Sequence, residues 1–166
     1  SGPGLALCKR RRTSSLAGAR TSYRSPVAPE TLLGRSAKSC VDLESQRAWL
    51  IQDGKVIRGP VKISSGGNGQ ETPVGHSLRV YRKDRNHVSQ ESRLPNGDPA
   101  PMPWSVFFED GGIAFHSGSP QRSSAGCIHL DPADAEAWFN YLQIGDMVQV
   151  VKASEEMAAR NGQPPA

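Results

Sequence analysis

The chain has 166 residues, three cysteines and a formal net charge of +4. This length is typical of one domain with a single buried core, and so few cysteines exclude a scaffold held together by several disulfides. No apolar stretch reaches the roughly 18 residues that a membrane-spanning helix needs, and the first apolar run, residues 5–7, is too short for the core of a signal peptide.

Positive charge is concentrated at the start of the chain. Residues 1–39 contain eight lysines and arginines and one glutamate, a net charge of +7, whereas the remainder carries −3. Serine, threonine, arginine and proline dominate this stretch without a hydrophobic period, so we expect a basic, disordered extension. Its charge would suit contact with an anionic polymer. The series of aromatic residues that single-stranded nucleic acids stack on is missing, so no nucleic-acid partner is expected.

A β-rich region is predicted to begin near Cys40. The pair Asp53-Gly54 separates two strand-like runs and is a strong hairpin signal, because both residue types tolerate the positive φ angles of a type I′ turn. A glycine-rich loop, residues 65–69, follows the fourth run. The predicted strands are residues 41–43, 48–52, 55–57, 61–64 and 78–82.

The alternation of apolar and polar residues stops in the middle of the chain. Residues 83–103 are polar and rich in proline, so we predict a long loop there. Two strands, residues 104–108 and 113–116, then follow and are joined by a tight turn.

A helix is predicted to begin at Asp131-Pro132, with aspartate as N-cap and proline at the first helical position. Its apolar face consists of residues at helical spacing, Ala135, Trp138, Phe139 and Leu142. A final strand, residues 147–151, precedes a frayed tail. The predicted organisation is therefore an extension at 1–39, one domain at 40–152 and a C-terminal tail at 153–166.

Cys127 is the candidate nucleophile, because it follows four small residues that keep the backbone accessible. A thiol attacks as its thiolate, and a nearby imidazole is the usual base that removes the proton, which points to His116. No carboxylate lies in this stretch to orient the imidazole, so we predict that the carbonyl of Ser117 does so. The amides of Gly126 and Cys127 are the candidate oxyanion hole.

The order of the residues around Cys127 strengthens the interpretation of Cys127 as a nucleophile. The segment S-A-G-C-I-H-L at residues 124–130, preceded by His116, resembles the active-site signature of the L,D-transpeptidase catalytic domain, the YkuD family. Residues 41–43 with the Asp53-Gly54 turn, residues 72–75 and residues 102–108 also agree with that family. The sequence departs from the family at Ala125, where many members have histidine, at His129, where asparagine or arginine is frequent, and in a shorter loop before Cys127.

The resemblance implies a mainly β, compact, β-sandwich-like fold with one short helix after Cys127. It also implies a secreted or envelope-facing bacterial enzyme that needs no metal or organic cofactor. Members of the family attack the bond before the terminal D-Ala of a peptidoglycan tetrapeptide stem and form a cysteine thioester. An amine of a second stem peptide resolves the thioester into a 3→3 cross-link, and carbapenems acylate the same cysteine.

The resemblance also implies roles for single residues. Cys127 is the nucleophile, His116 the base, and Ser117 the residue whose carbonyl orients the imidazole. Ser124, His129, Trp104 and Met102 are the predicted substrate-binding residues, although core packing is an equal alternative for Trp104.

Several alternatives stay open at this point. Cys127, His116 and His129 are competent zinc ligands, but structural zinc normally takes four ligands at short paired spacings, so no metal is expected. Water instead of an amine would make the protein an L,D-carboxypeptidase, and a domain without activity would be a peptidoglycan-binding module, with the basic extension on an anionic envelope polymer. Cys8 and Cys40 are free to pair with each other.

Overall fold

The computed structural model describes residues 37–160, of which residues 90–92 and 160 are described by their backbone alone. This part of the chain forms nine strands and two helices. The strands are β1 Ser39–Asp42, β2 Arg47–Gln52, β3 Lys55–Ser64, β4 Gly75–Arg79, β5 Arg82–Arg93, β6 Pro99–Glu109, β7 Ile113–Ser117, β8 Ile128–Leu130 and β9 Met147–Val151. The helices are α1 Pro132–Tyr141 and α2 Ala153–Arg160.

All nine strands belong to one curled sheet, in the order β4-β9-β1-β2-β3-β8-β7-β6-β5. Strands β4 and β5 lie at its opposite edges, yet only residues 80 and 81 connect them. Two residues reach only about 7 Å when extended, so the sheet must curl until its edges meet. Tyr81 N donates to Phe107 O across this junction. The predicted mainly β fold class is confirmed.

The core fills the inside of the curl beneath α1. Ala135, Trp138 and Leu142 of the predicted helical face are fully buried, as is Phe115 of β7. The Trp138 and Phe115 rings lie 6.2 Å apart, and the Trp138 indole N–H donates to Ser39 Oγ at 3.0 Å. Helix α1 thus fixes the strand that leads into His116.

The prediction of a long loop at residues 83–103 is wrong. Most of this segment forms the β5–β6 hairpin, in which Asn86 pairs with Pro103 and Val88 with Pro101. Prolines 99, 101 and 103 alternate, so their nitrogens lie on one side of β6, and β7 pairs only with residues 106–109 of this strand. Among the described strands, residues 99–103 therefore have a partner on one side only, and proline is tolerated where no neighbouring strand needs its missing N–H.

The frayed tail predicted after residue 152 is also partly wrong, because α2 is a second, unpredicted helix. Its first turn is capped from a distant part of the chain: Asp42 Oδ1 accepts the Ala153 N–H at 3.0 Å and Glu44 accepts the Ser154 N–H at 3.0 Å. Residues 1–36 of the predicted extension, with Cys8, lie outside the described residues, so the Cys8–Cys40 pairing stays a prediction. The last residue of that extension, Ser39, already belongs to β1. The Asp53-Gly54 turn is confirmed, with φ angles of 52° and 77°.

Candidate active site

His116 lies near the end of β7, with 6% of its surface exposed. Its Nδ1 is 2.9 Å from the carbonyl oxygen of Ser117, as the sequence predicted. Because a carbonyl oxygen only accepts, Nδ1 carries the hydrogen and the neutral ring leaves Nε2 unprotonated. Burial lowers the pKa of His116 from 6.5 to about 4, although the hydrogen bond to Ser117 acts in the opposite direction. The imidazole is therefore neutral at physiological pH.

Strand pairing places Cys127 beside the strand that carries His116. Strands β7 and β8 are parallel, with Phe115 opposite Ile128 and His116 opposite His129. Cys127 directly precedes β8, so its side chain shares a face with the two histidines. The half-buried thiol lies 3.4 Å from the carbonyl oxygen of Gly112, in the β6–β7 turn.

The turn before Cys127 is held by Ser124. Its hydroxyl donates to the carbonyl of Cys127 and accepts the Gly126 N–H at 3.0 Å. This contact corrects one prediction, because the Gly126 amide is engaged within the turn instead of facing an oxyanion. Gly126 has a φ of +120°, and a β-carbon there would lie 2.6 Å from Ile113 Cδ1, so the turn requires glycine.

Thr72 is a site residue that the sequence analysis did not single out. It is 3% exposed, and its hydroxyl accepts the Gly66 N–H at 3.0 Å and donates to the Gly126 carbonyl at 2.7 Å. The Gly126 carbonyl and the Cys127 N–H belong to one trans peptide and point in opposite directions. The hydrogen bond from Thr72 therefore directs the Cys127 N–H away from Thr72. Its position in the family-like stretch of residues 72–75 was the available signal.

The glycine-rich loop at residues 65–69 supports the same turn. Ser124 N donates to Ser65 O at 3.0 Å, and Gly67 N donates to Ser124 O at 3.1 Å. A β-carbon on Gly66 would lie 2.7 Å from the α-carbon of Gly126, so two backbones meet here at a distance that only glycine permits.

A cavity of about 870 Å³ opens over the thiol. It is lined by most of the predicted site residues, namely Cys127, His116, Ser117, Ser124, His129 and Met102. Arg93 and Arg122 also line it, and the described lining residues include no carboxylate. The cavity therefore favours anionic ligands.

Trp104 is the predicted substrate-binding residue that does not line this cavity. Its φ of +61° interrupts the alternation of β6, and its ring packs against Phe139 of α1 at 5.3 Å. Arg85 covers the indole at 4.7 Å. The structure thus places Trp104 in the packing between sheet and helix, the alternative that the sequence left open.

Two features bear on other kinds of site. Among the described residues, no cluster of three or more His, Cys, Asp or Glu side chains is arranged to hold a metal ion. Neither of the helices in this part of the chain is long and apolar enough to cross a membrane.

The family model of the L,D-transpeptidase catalytic domain, YkuD, matches residues 36–150 of the chain. The chain belongs to this family. The match includes Thr72, His116 and Cys127, and it confirms the resemblance inferred from the sequence. No curated protein matches the chain.

Solved structures of L,D-transpeptidases share the fold of this YkuD domain. One from Stackebrandtia nassauensis is 30% identical with a TM-score of 0.59, over 68% of this chain and 53% of that protein. One from Mycobacterium smegmatis is 23% identical with a TM-score of 0.60, over 69% and 59%. L,D-transpeptidase 3 from Mycobacterium tuberculosis, solved with a faropenem-derived adduct, is 24% identical with a TM-score of 0.59, over 69% and 59%. The chain thus spans little more than half the length of these relatives.

Proposed function

We propose that this chain is a cysteine-dependent peptidoglycan L,D-transpeptidase, an acyltransferase that makes 3→3 cross-links. The observation that carries the proposal is the neutral, buried imidazole of His116, oriented by the Ser117 carbonyl and lining one cavity with Cys127. Family membership supports the same reaction class.

The donor is a tetrapeptide stem that ends in D-Ala. His116 Nε2 takes the thiol proton as Cys127 Sγ attacks the carbonyl carbon before D-Ala, and the new oxyanion accepts from the Cys127 N–H. The C–N bond then breaks, His116 returns the proton to the amine, and D-Ala leaves a thioester on Cys127. An amine of a neighbouring stem attacks the thioester and completes the cross-link.

The charge of the cavity fits such a donor. Stem peptides carry free carboxylates, and Arg93 and Arg122 are the charged side chains among the described lining residues. Met102 gives one wall apolar character, and His129 lies beside the base. Action outside the cytoplasm, at the cell wall, follows from this substrate, with a role in cell-wall organisation and cell shape. The basic extension would add contact with an anionic envelope polymer.

The test is intact-protein mass spectrometry of the full chain after incubation with a carbapenem. One adduct per chain is expected, with none in Cys127→Ala and slow formation in His116→Gln, because the thiol then lacks its base. Met157→Ala, on the exposed side of α2, is the matched control and should acylate like the unaltered chain. Absence of an adduct on folded protein would overturn the proposal and favour a peptidoglycan-binding module without activity.

Incubation with a tetrapeptide muropeptide then separates two enzymatic outcomes. A cross-linked dimer with released D-Ala supports transpeptidation. Release of D-Ala with only the tripeptide monomer as product would replace it by L,D-carboxypeptidase activity, in which water resolves the thioester.

A further inference from the structure

His129 is the second imidazole of the cavity, and it directly contacts the first. The strand register sets it opposite His116, and the two ring centroids lie 4.8 Å apart at an interplanar angle of 69°. This is an edge-to-face contact, which restricts how far either ring can turn.

Hydrogen bonding fixes the His129 ring as well. Its Nδ1 is 3.0 Å from the carbonyl oxygen of Ser119, so Nδ1 carries the hydrogen. Ser64 Oγ lies 3.3 Å from the same nitrogen and within hydrogen-bond distance of the Ser119 and Arg122 carbonyls. His129 therefore donates through the same ring nitrogen as His116.

Gly118 lies between Ser117 and Ser119, and its backbone lies directly against the His129 ring. A β-carbon on Gly118 would lie 2.9 Å from both Cγ and Cδ2 of His129, closer than real β-carbons approach. Gly118 N donates to the Leu130 carbonyl at 3.0 Å, which ties the segment to β8. The glycine thus allows the ring to lie flat against the chain.

We propose that His129 is a positioning residue for His116. The Ser117 carbonyl accepts from His116 and the Ser119 carbonyl accepts from His129, so the two rings hold the segment 117–119 from both ends. Loss of His129 frees this segment and the Ser117 carbonyl that orients the base. The inference rests on the proposed role of His116 as the base of Cys127.

The two functions of the His129 ring can be separated by substitution. His129→Asn keeps an N–H donor near the position of Nδ1 and loses the contact with the His116 ring, whereas His129→Ala loses both. Burial of His116, to which the contact with His129 contributes, lowers its pKa, and charges on His129 and His87 act in the same direction. Removal of the ring therefore raises the pKa of His116 toward its ordinary value.

The experiment measures the rate at which iodoacetamide alkylates Cys127 between pH 4 and 9, read by mass spectrometry of the Cys127 peptide of the full chain. We expect His129→Ala to slow alkylation at pH 7 about tenfold. The acidic limb of the rate profile, where the rate falls as the pH is lowered, should move to higher pH by about one unit. His129→Asn should recover most of the plateau rate and retain the shifted limb. His76→Asn, on the distant β4 edge, should match the unaltered chain.

A second variant covers the case in which His129→Ala does not fold. Gly118→Ala forces the ring away from the backbone and should shift the acidic limb in the same direction. An unchanged rate and pH profile in His129→Asn and Gly118→Ala would overturn the positioning role alone. An acidic limb in the unaltered chain that persists in His116→Gln would overturn the proposed base, and with it both proposals.

Discussion

Replacing Thr72 by valine tests whether the peptide before the nucleophile is held from the glycine-rich loop. Valine has nearly the shape of threonine but no hydroxyl. Thr72 Oγ1 is the hydrogen-bond partner of the Gly66 N–H at 3.0 Å and of the Gly126 carbonyl at 2.7 Å. Both backbone groups would lose that partner in the Thr72→Val variant.

The size of the effect follows from burial. Thr72 is 3% exposed, so water cannot replace the hydroxyl without a local opening. A buried backbone group left unsatisfied costs about 1–3 kcal/mol, so two such groups predict a loss of about 2–6 kcal/mol in the free energy of unfolding. Thr72→Ser keeps the hydroxyl and removes one methyl group, which predicts a loss of only about 1 kcal/mol.

Urea unfolding of the two variants measures this difference, and the rate of carbapenem acylation measures its effect on the site. A displaced oxyanion donor slows acyl transfer by about 10²–10³, so we expect at least a tenfold slower acylation of Thr72→Val than of Thr72→Ser. Equal stability and equal acylation of the two variants would refute the reasoning.

Two further predictions concern His116 and Gly126. The pKa of His116 is lower in the folded protein, about 4, than its ordinary 6.5, so its contribution to stability is complete above pH 6.5 and is lost as the pH falls toward 4, by about 3 kcal/mol in total. Urea unfolding at pH 7 and pH 4.5 should show this loss in the unaltered chain and not in His116→Gln; an identical pH dependence would contradict it. Gly126→Ala places a side chain at a φ of +120° and should cost about 1–3 kcal/mol and slow acylation. Gly54→Ala, at a φ of +77° in the β2–β3 turn and outside the cavity lining, is strained in the same way and should leave acylation unchanged.

Local sequence signals predicted most of the strands and the first helix. The Asp53-Gly54 turn, the Asp131-Pro132 helix start and the apolar face of α1 each depend on residues close together in the chain, and each is present in the structure. The contact between His116 and the Ser117 carbonyl was predictable for the same reason, since it joins neighbouring residues.

The errors lie where distant parts of the chain meet. Helix α2 depends on caps from Asp42 and Glu44, which its own sequence does not contain. The prolines of β6 are typical of a loop. They fit a strand only because residues 99–103 have β5 as a partner on one side and no strand of the described chain on the other, which the local sequence does not show. Thr72 and Gly126 are joined by a hydrogen bond across 54 residues, so no local pattern predicted that contact.

Strand β4, which follows Thr72, pairs with β9 near the end of the described chain, so assembly of the site depends on β9. Strand β4 has β9 as its neighbour in the sheet, and β9 also lies against β1, with Ser39 opposite Val148. During synthesis, Thr72 and Cys127 therefore emerge before the strand that anchors the segment after Thr72 has been made. Pairing over such sequence separations is slow, because a long loop must close first. A chain stopped before Met147 would contain every residue of the proposed reaction and still lack the sheet edge beside Thr72.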